Sequence, residues 1–309
     1  MMRSSLLWLS ERQSIFNFVR RNRLAKRFAS RFVAGETIEE GVAAVRDLAS
    51  RGIPATLDLL GESVKVQADA DQAAEEYLRI LRALADAGME VNASLKLTQM
   101  GFDLDEAACE ANVRRILELA RELNGFIRLD MESSAYTERT LAFHRRLAAD
   151  FAPHVGVVIQ TSLRRSDNDI ARLIESQTRV RLCKGAYLEP ATVAYPDKKD
   201  VDAAYLRLAK QLVTEGNYPG LATHDATIID AMKAFITEQG ISRDKFEFQM
   251  LYGVRRDLQD ALAADGWRIR VYVPFGTQWY PYLMRRLAER PANIAFIVGN
   301  IVKEGFRRK

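Results

Sequence analysis

Cysteine and histidine are scarce in this 309-residue chain, which has two Cys and three His. Cys109 and Cys183 are too few to staple a disulfide-held domain. They suit a reducing compartment, each most simply a small buried apolar residue. His144, His154 and His224 are scattered, with no HExxH pair and no Cys/His spacing, so no metal centre is expected. No run approaches the roughly 20 apolar residues of a membrane helix. The short run Leu6-Leu7-Trp8-Leu9 does not make a secretory signal. A GxSxG elbow, a P-loop and a Rossmann glycine fingerprint are all missing. What is present, 48% hydrophobic and 28% charged residues, is the composition of a globular protein with ample core, of the cytosolic kind.

Charge is unevenly spread. Residues 1–32 carry eight Lys and Arg against Glu11 alone, and residues 303–309 carry four against Glu304, so the body between them is acidic although the chain totals +4. No nucleic-acid-binding motif accompanies these basic ends, and no nucleic-acid partner is expected. An Arg-rich, acid-poor start also fits an organelle transit peptide. The favoured reading of residues 1–50 is an N-terminal amphipathic helical segment, with Leu6, Leu9, Ile15, Phe16, Val19, Leu24, Phe28 and Phe32 as apolar contacts. It would pack on the body or touch an anionic membrane surface.

From residue 51 to 309 short β-like runs alternate with longer helical ones. The strand expectations are 53–59, 91–97, 126–131, 155–160, 179–184, 220–224, 246–251 and 269–273. The helical ones are 71–87, 105–123, 137–150, 167–176, 200–213, 226–238, 255–265 and 281–290, with Asp71 opening the first and Gly88 closing it. Strand-helix alternation implies a parallel sheet, and eight units imply an α/β fold of the (βα)8 TIM-barrel type. Side-chain parity agrees. Val91, Ala93 and Leu95 oppose Asn92, Ser94 and Lys96, and Val180 and Leu182 oppose Arg181 and Cys183, so apolar residues face helices and polar ones face the interior. Arg128 and Glu247 are expected to be structural partners there. The carboxyl ends of the strands, where barrel active sites are built, present Glu62, Lys96, Asp130, Gln160, Lys184, His224, Gln249 and Tyr272.

Two segments stand out. In 281–290, Pro281 suits a first helical turn, and Tyr282, Arg285, Arg286 and Glu289 share one helical face. Such charges often only solvate a surface, but paired arginines can also hold a small carboxylate, with Glu289 orienting them and Lys96 adding charge. In Arg181-Leu182-Cys183-Lys184-Gly185-Ala186-Tyr187, the small Gly185 and Ala186 would let a planar cofactor approach the backbone, or simply form a tight turn. Lys96 and Lys184 also leave open a Schiff-base lyase, and the basic ends a non-catalytic membrane-associated binding protein.

LDLLGE, SLKLTQ, Asp130, VVIQ, RLCKGAY, ATHDA, FEFQMLYG, VYVPFG and YLMRRLAER, spanning roughly residues 53–290, together resemble the proline dehydrogenase family in its stand-alone bacterial type. The resemblance implies a barrel whose last helix lies over the mouth, holding FAD. It implies oxidation of L-proline to Δ1-pyrroline-5-carboxylate by hydride transfer to flavin N5, with electrons passed to a membrane quinone. This is the first step of proline catabolism to glutamate. It assigns the proline carboxylate to Arg285, Arg286 and Lys96, and the ring to Tyr187, Leu251, Tyr272 and Tyr282. Glu289 would hold the arginine pair, Asp130 would lie beside Tyr282 and substrate, and Arg181 would approach flavin N5. Met131, Gln160, Lys184, Gly185, Ala186, Thr223, His224 and Gln249 would contact FAD, and Glu62 would help gate the site. A dedicated base for the substrate amine is not evident. Tyr272 argues for proline over hydroxyproline. Departures are modest: Cys183 where an aliphatic residue is common, Met131 where a smaller one often sits, and a short GTQWYPY turn. The resemblance further implies a cytoplasmic protein, peripheral at the inner membrane face, that hands its product to a separate pyrroline-5-carboxylate dehydrogenase.

Overall fold

The computed structural model describes residues 29–289, and over 285–289 it describes the backbone alone. The expected amphipathic contacts before residue 29, the basic tail, and the side chains of Arg285, Arg286 and Glu289 lie outside the described residues.

Eight parallel strands close into a barrel in sequence order: β1 (Ala55–Leu59), β2 (Asn92–Leu95), β3 (Phe126–Leu129), β4 (Val155–Gln160), β5 (Arg179–Cys183), β6 (Gly220–Ala222), β7 (Glu247–Leu251) and β8 (Ile269–Phe275). β1 pairs with β8, Leu57 opposite Val273, which shuts the ring. The α-helices are α1 (Ile38–Ser50), α2 (Gln67–Asp86), α3 (Glu106–Glu122), α4 (Ser134–Phe151), α5 (Ser166–Glu175), α6 (Lys198–Glu215), α7 (Ala226–Glu238), α8 (Arg256–Ala264) and α9 (Trp279–Glu289).

The outward parity of the strands explains the core. Leu57, Ala93, Leu95, Ile127, Leu129, Val157, Val180, Leu182, Phe248, Val271 and Val273 join the inner faces of the helices in one buried cluster. Each of the larger side chains among them contributes about 1.5–3 kcal/mol by leaving water. The inward parity is polar, as expected: Thr56, Asp58, Asn92, Ser94, Arg128, Arg181, Glu247, Gln249 and Arg270 are all buried.

Helix α1 falls within the expected N-terminal segment, and it packs on the outside of β1 and β8. A capping box fixes its start, since Thr37 accepts from the Glu40 N–H and the Glu40 carboxylate accepts from the Thr37 N–H. By covering β8 it takes the place that the helix after β8 would occupy. α9 is thereby displaced: Tyr282, Leu283 and Met284 pack on Leu60, just beyond β1, and on Ala29 and Val33. This puts the last helix over the mouth.

Boundaries differ in instructive ways. α2 starts at Gln67, well before the expected Asp71, with Val66 at its N-cap. The Asp71 carboxylate is instead spent within and between helices, accepting from Gln67 at 2.8 Å and Asn112 at 2.9 Å. Gly88 does end that helix, with φ +68°. β2 stops at Leu95, so Lys96 caps a 3₁₀ turn (Leu97–Met100), and β3 stops before Asp130 and Met131.

Candidate active site

The barrel mouth collects the ends of β1, β2, β3, β5, β7 and β8. Asp130 follows β3 directly, and its N–H donates to the Leu95 carbonyl at 2.8 Å, which keeps the strand direction and turns its side chain inward. Its Oδ1 accepts from Arg181 Nη1 at 2.8 Å and its Oδ2 from the Tyr272 hydroxyl at 2.8 Å. The Arg181 guanidinium lies 5.1 Å from the Tyr272 ring centre and donates through Nε to Gln249 Oε1 at 2.6 Å. Gln249 Nε2 continues to Glu247 at 2.6 Å. Burial, with Asp130 and Asp58 adding to it, pushes the Tyr272 phenol far above its ordinary range, so it stays a neutral donor. Lys96 Nζ lies 3.4 Å from Asp58 Oδ1. Burial drives the Asp58 carboxyl up, while Lys96 opposes that rise. A cavity of about 860 Å³ adjoins this cluster, lined among others by Leu60, Glu62, Lys96, Gln99, Gln278 and Pro281. It therefore joins the expected gate residue, the expected carboxylate ligand and the start of α9.

A second set of side chains lies at the ends of β4 to β7. Gln160 Nε2 donates to the Glu132 carbonyl at 2.7 Å. Lys184 is held between Asp202, at 2.6 Å, and Asp225, at 3.0 Å. The Thr223 hydroxyl accepts from the Asp225 N–H at 3.1 Å. The Leu251 N–H donates to His224 Nε2 at 2.9 Å, which assigns the ring proton to Nδ1. Gly185 has φ +104°, and a Cβ there would stand 2.4 Å from Ser162 Oγ, so only glycine makes this turn. Beyond it the loop leaves Tyr187 38% and Leu188 60% exposed.

This donor set fits a flavin. The glycine turn gives close backbone approach, the exposed Leu188 offers apolar surface to a planar ring system, and Arg181 and Lys184 supply positive charge for an electron-rich or phosphorylated group. Among the described residues no group of three or more His, Cys, Asp or Glu is placed to hold a metal ion.

Of the residues expected at the site, Lys96, Asp130, Arg181, Gln249 and Tyr272 converge in one network. Gln160, Lys184, Gly185, Thr223, His224 and Leu251 occupy adjoining strand ends. Met131 is buried just past β3, and Ala186 follows Gly185 in the turn. Tyr282 is buried against Leu60, and Asp130 accepts from the Tyr272 hydroxyl. Arg128 and Glu247 attract each other inside the barrel, as expected of structural partners, but through space: Arg128 donates to the Val157 and Arg179 carbonyls, whereas Glu247 accepts from Arg270 and Gln249. Sequence reasoning missed Asp58, Glu132, Asp202 and Asp225. Asp58 was legible in principle, since Thr56 and Asp58 alternate with Ala55, Leu57 and Leu59. Glu132, whose carboxylate accepts from the Thr98 hydroxyl at 2.6 Å, and the two partners of Lys184 come from loops and a helix that carry no strand-end signal. Lys184 sits between two carboxylates, not in the apolar, desolvated pocket that activates a Schiff-base lysine.

The comparisons agree with this geometry. Residues 42–298 match the family model described as proline dehydrogenase. The chain is 46% identical to the proline dehydrogenase of Deinococcus radiodurans over 305 residues, covering 97% of this chain and 98% of the relative. It is 42% identical to proline dehydrogenase 1 of Bacillus subtilis over 306 residues, covering 98% of this chain and all of that one. Among solved structures, proline utilization A (PutA) from Bdellovibrio bacteriovorus inactivated by N-propargylglycine superposes with a TM-score of 0.81 at 26% identity. That match covers 91% of this chain but 34% of the larger one. The chain belongs to the proline dehydrogenase family.

Proposed function

We propose that this protein oxidises L-proline to Δ1-pyrroline-5-carboxylate with FAD as its bound cofactor, passing the electrons to a membrane quinone. The observation that carries this reading is the Arg181–Asp130–Tyr272 network at the barrel mouth, with Lys96 beside it. When bound, a flavin would supply the two-electron acceptor for a hydride leaving C5 of proline.

The chain's own residues then have separable tasks. Lys96, Arg285 and Arg286 fix the substrate carboxylate, and Glu289 orients the arginines. Tyr187, Leu251, Tyr272 and Tyr282 enclose the pyrrolidine ring and exclude water from it. Asp130 fixes the Arg181 guanidinium and the Tyr272 hydroxyl at once, so the charge facing the cofactor and the wall facing the substrate share one anchor. Met131, Gln160, Lys184, Gly185, Ala186, Thr223, His224 and Gln249 line the cofactor side, with Arg181 favouring negative charge there. Glu62 gates entry. Positioning and electrostatics carry most of the rate. The basic ends would hold the protein at the inner face of the cytoplasmic membrane, beside the quinone, and the product would pass to a separate dehydrogenase.

An anaerobic titration of the purified protein tests this reading. A visible flavin spectrum that bleaches with L-proline and resists an equal concentration of hydroxyproline is expected. A flavin that proline leaves oxidised would overturn the substrate, and a colourless protein that FAD cannot reconstitute would overturn the cofactor.

A further inference from the structure

The mechanism above leaves one proton without a destination: the substrate amine must shed it before a C=N bond can form. It also leaves one buried acid without a task. Asp58 is 1% exposed and points into the barrel from β1, opposite Ser94 of β2 and Pro274 of β8. Its Oδ1 meets Lys96 Nζ at 3.4 Å, a long contact, and its Oδ2 is buried without a hydrogen-bond partner. The titratable and charged groups facing it are Lys96 from the end of β2, Tyr272 from β8, Asp130 from beyond β3, Arg181 on the far side of Asp130, and Tyr77 from α2. Tyr272 donates its hydroxyl to Asp130, and Tyr77 donates its own to the Ser94 carbonyl at 2.7 Å. Lys96 is therefore the cation on which the Asp58 charge depends.

We propose that Asp58 takes up one proton when a substrate carboxylate settles beside Lys96, and that in turnover this is the proton the substrate amine gives up. The inference rests on the reading of the site as one for a cyclic amino acid. A substrate carboxylate draws the Lys96 ammonium toward itself and leaves Asp58 as a buried, unpaired charge. Such a charge is driven toward protonation, because the other donor near it, the Tyr272 hydroxyl, is already given to Asp130. Burial already biases the carboxyl toward its protonated form.

The step balances without an external reagent. The N–H bond of the substrate ammonium breaks and the O–H bond of Asp58 forms. Lys96 first gives one proton to Oδ1 across their existing contact and then, as a neutral amine, takes the one from the substrate ammonium, so that it ends as a cation. No electrons move, and the amine keeps the lone pair that C=N formation requires. Asp58 acts through Lys96, as a positioning residue and proton store.

The test uses the holoenzyme and cyclopentanecarboxylate, a ring carboxylate with no amine proton to give. Its binding is followed by titration calorimetry in two buffers of different ionisation enthalpy, across roughly pH 6 to 9. The wild type is expected to take up close to one proton from solvent per ligand bound in part of that range, with affinity falling up to about tenfold per pH unit. Asp58→Asn, which keeps the shape and cannot take the proton, is expected to bind with little uptake and a nearly flat pH profile. Its kcat/KM for L-proline should be most depressed near neutrality and recover as pH rises. Binding to the wild type with no proton uptake at any pH, or equal uptake in Asp58→Asn, overturns the inference. If the Asn variant does not fold, the wild-type proton count decides alone. Failure of the ring carboxylate to bind, together with a flavin that L-proline does not bleach, overturns the substrate reading and takes this inference with it. Binding without uptake removes the inference only.

Discussion

Glu247 and Asp58 are both buried carboxylates inside one barrel, at opposite ends of its axis. At the amino-terminal end, burial alone would raise the Glu247 carboxyl, yet Arg270 at 2.8 Å and Gln249 at 2.6 Å hold it below its ordinary range. Arg270 in turn meets Glu90 and the Ala55 carbonyl, and Arg128 donates to two backbone carbonyls. Gly156 makes room for this layer, since a Cβ there would stand 2.3 Å from the Arg179 carbonyl and 2.7 Å from the Phe126 ring. At the carboxyl end Asp58 lies 3.4 Å from Lys96, with the Tyr272 hydroxyl nearby, and burial raises its carboxyl all the same. The same residue types thus serve two purposes. A saturated network fixes its charges and holds the barrel, while an incompletely satisfied one keeps a group whose charge a ligand can change. A cavity of about 720 Å³ lined by Glu90, Glu247, Arg268 and Arg270 also opens at the saturated end, but its polar groups are already spent on each other.

The sharpest way to break this contrast is Arg270→Met, which strands Glu247 in the interior. Breaking a buried pair costs about 3–5 kcal/mol, and Tm is expected to fall by roughly 10 °C while the KM for proline stays within about twofold. Arg285→Met or Arg286→Met should do the reverse. Proline KM is expected to rise by roughly 30-fold or more, the cost of removing one partner of a desolvated charge pair, with FAD content and Tm retained. Retained proline affinity in both variants would remove the carboxylate assignment. Tyr272→Phe deletes the donor to Asp130 Oδ2 and is expected to lower kcat/KM about tenfold, for roughly 1–1.5 kcal/mol of lost hydrogen bond.

The smallest effect belongs to neither end. His144, on α4, is buried, and burial lowers its pKa to about 4. A histidine depressed in the folded state contributes stability that is present above its unfolded pKa of about 6.5 and is lost as pH falls toward the folded value. Wild-type Tm should therefore drop between pH 6.5 and 4 more steeply than that of His144→Phe, measured by thermal melts across that window.

The barrel was legible because every strand lies between helices on one side and a polar interior on the other, so Val180 and Leu182 against Arg181 and Cys183 encode both faces. The candidate site was legible where polar residues lie on the inward face of a strand or just past its end, as at Gln249 and Tyr272, and at Asp130 and Lys184. It was less so at Asp58 of β1. The alternation of IPATLDL places Asp58 on the inward face, but its importance comes from having too few partners, a property of three-dimensional packing. Asp202 and Asp225 were hidden for a related reason: their pairing with Lys184 joins α6 and the loop after β6 to β5, and no local spacing reports it. Helix ends were read least well where a charge was taken as a cap, as at Asp71.

The most direct test of the contrast between the two ends is a paired measurement of Tm and proline kcat/KM in Asp130→Asn and Arg270→Met. The account predicts that Asp130→Asn loses kcat/KM at least tenfold, since Arg181 and Tyr272 lose their common anchor, while Tm moves by only a few degrees. Arg270→Met should lose Tm and keep kcat/KM. If instead Asp130→Asn collapses the fold as Arg270→Met does, or Arg270→Met abolishes turnover at a temperature where it remains folded, the division into scaffold and site is wrong.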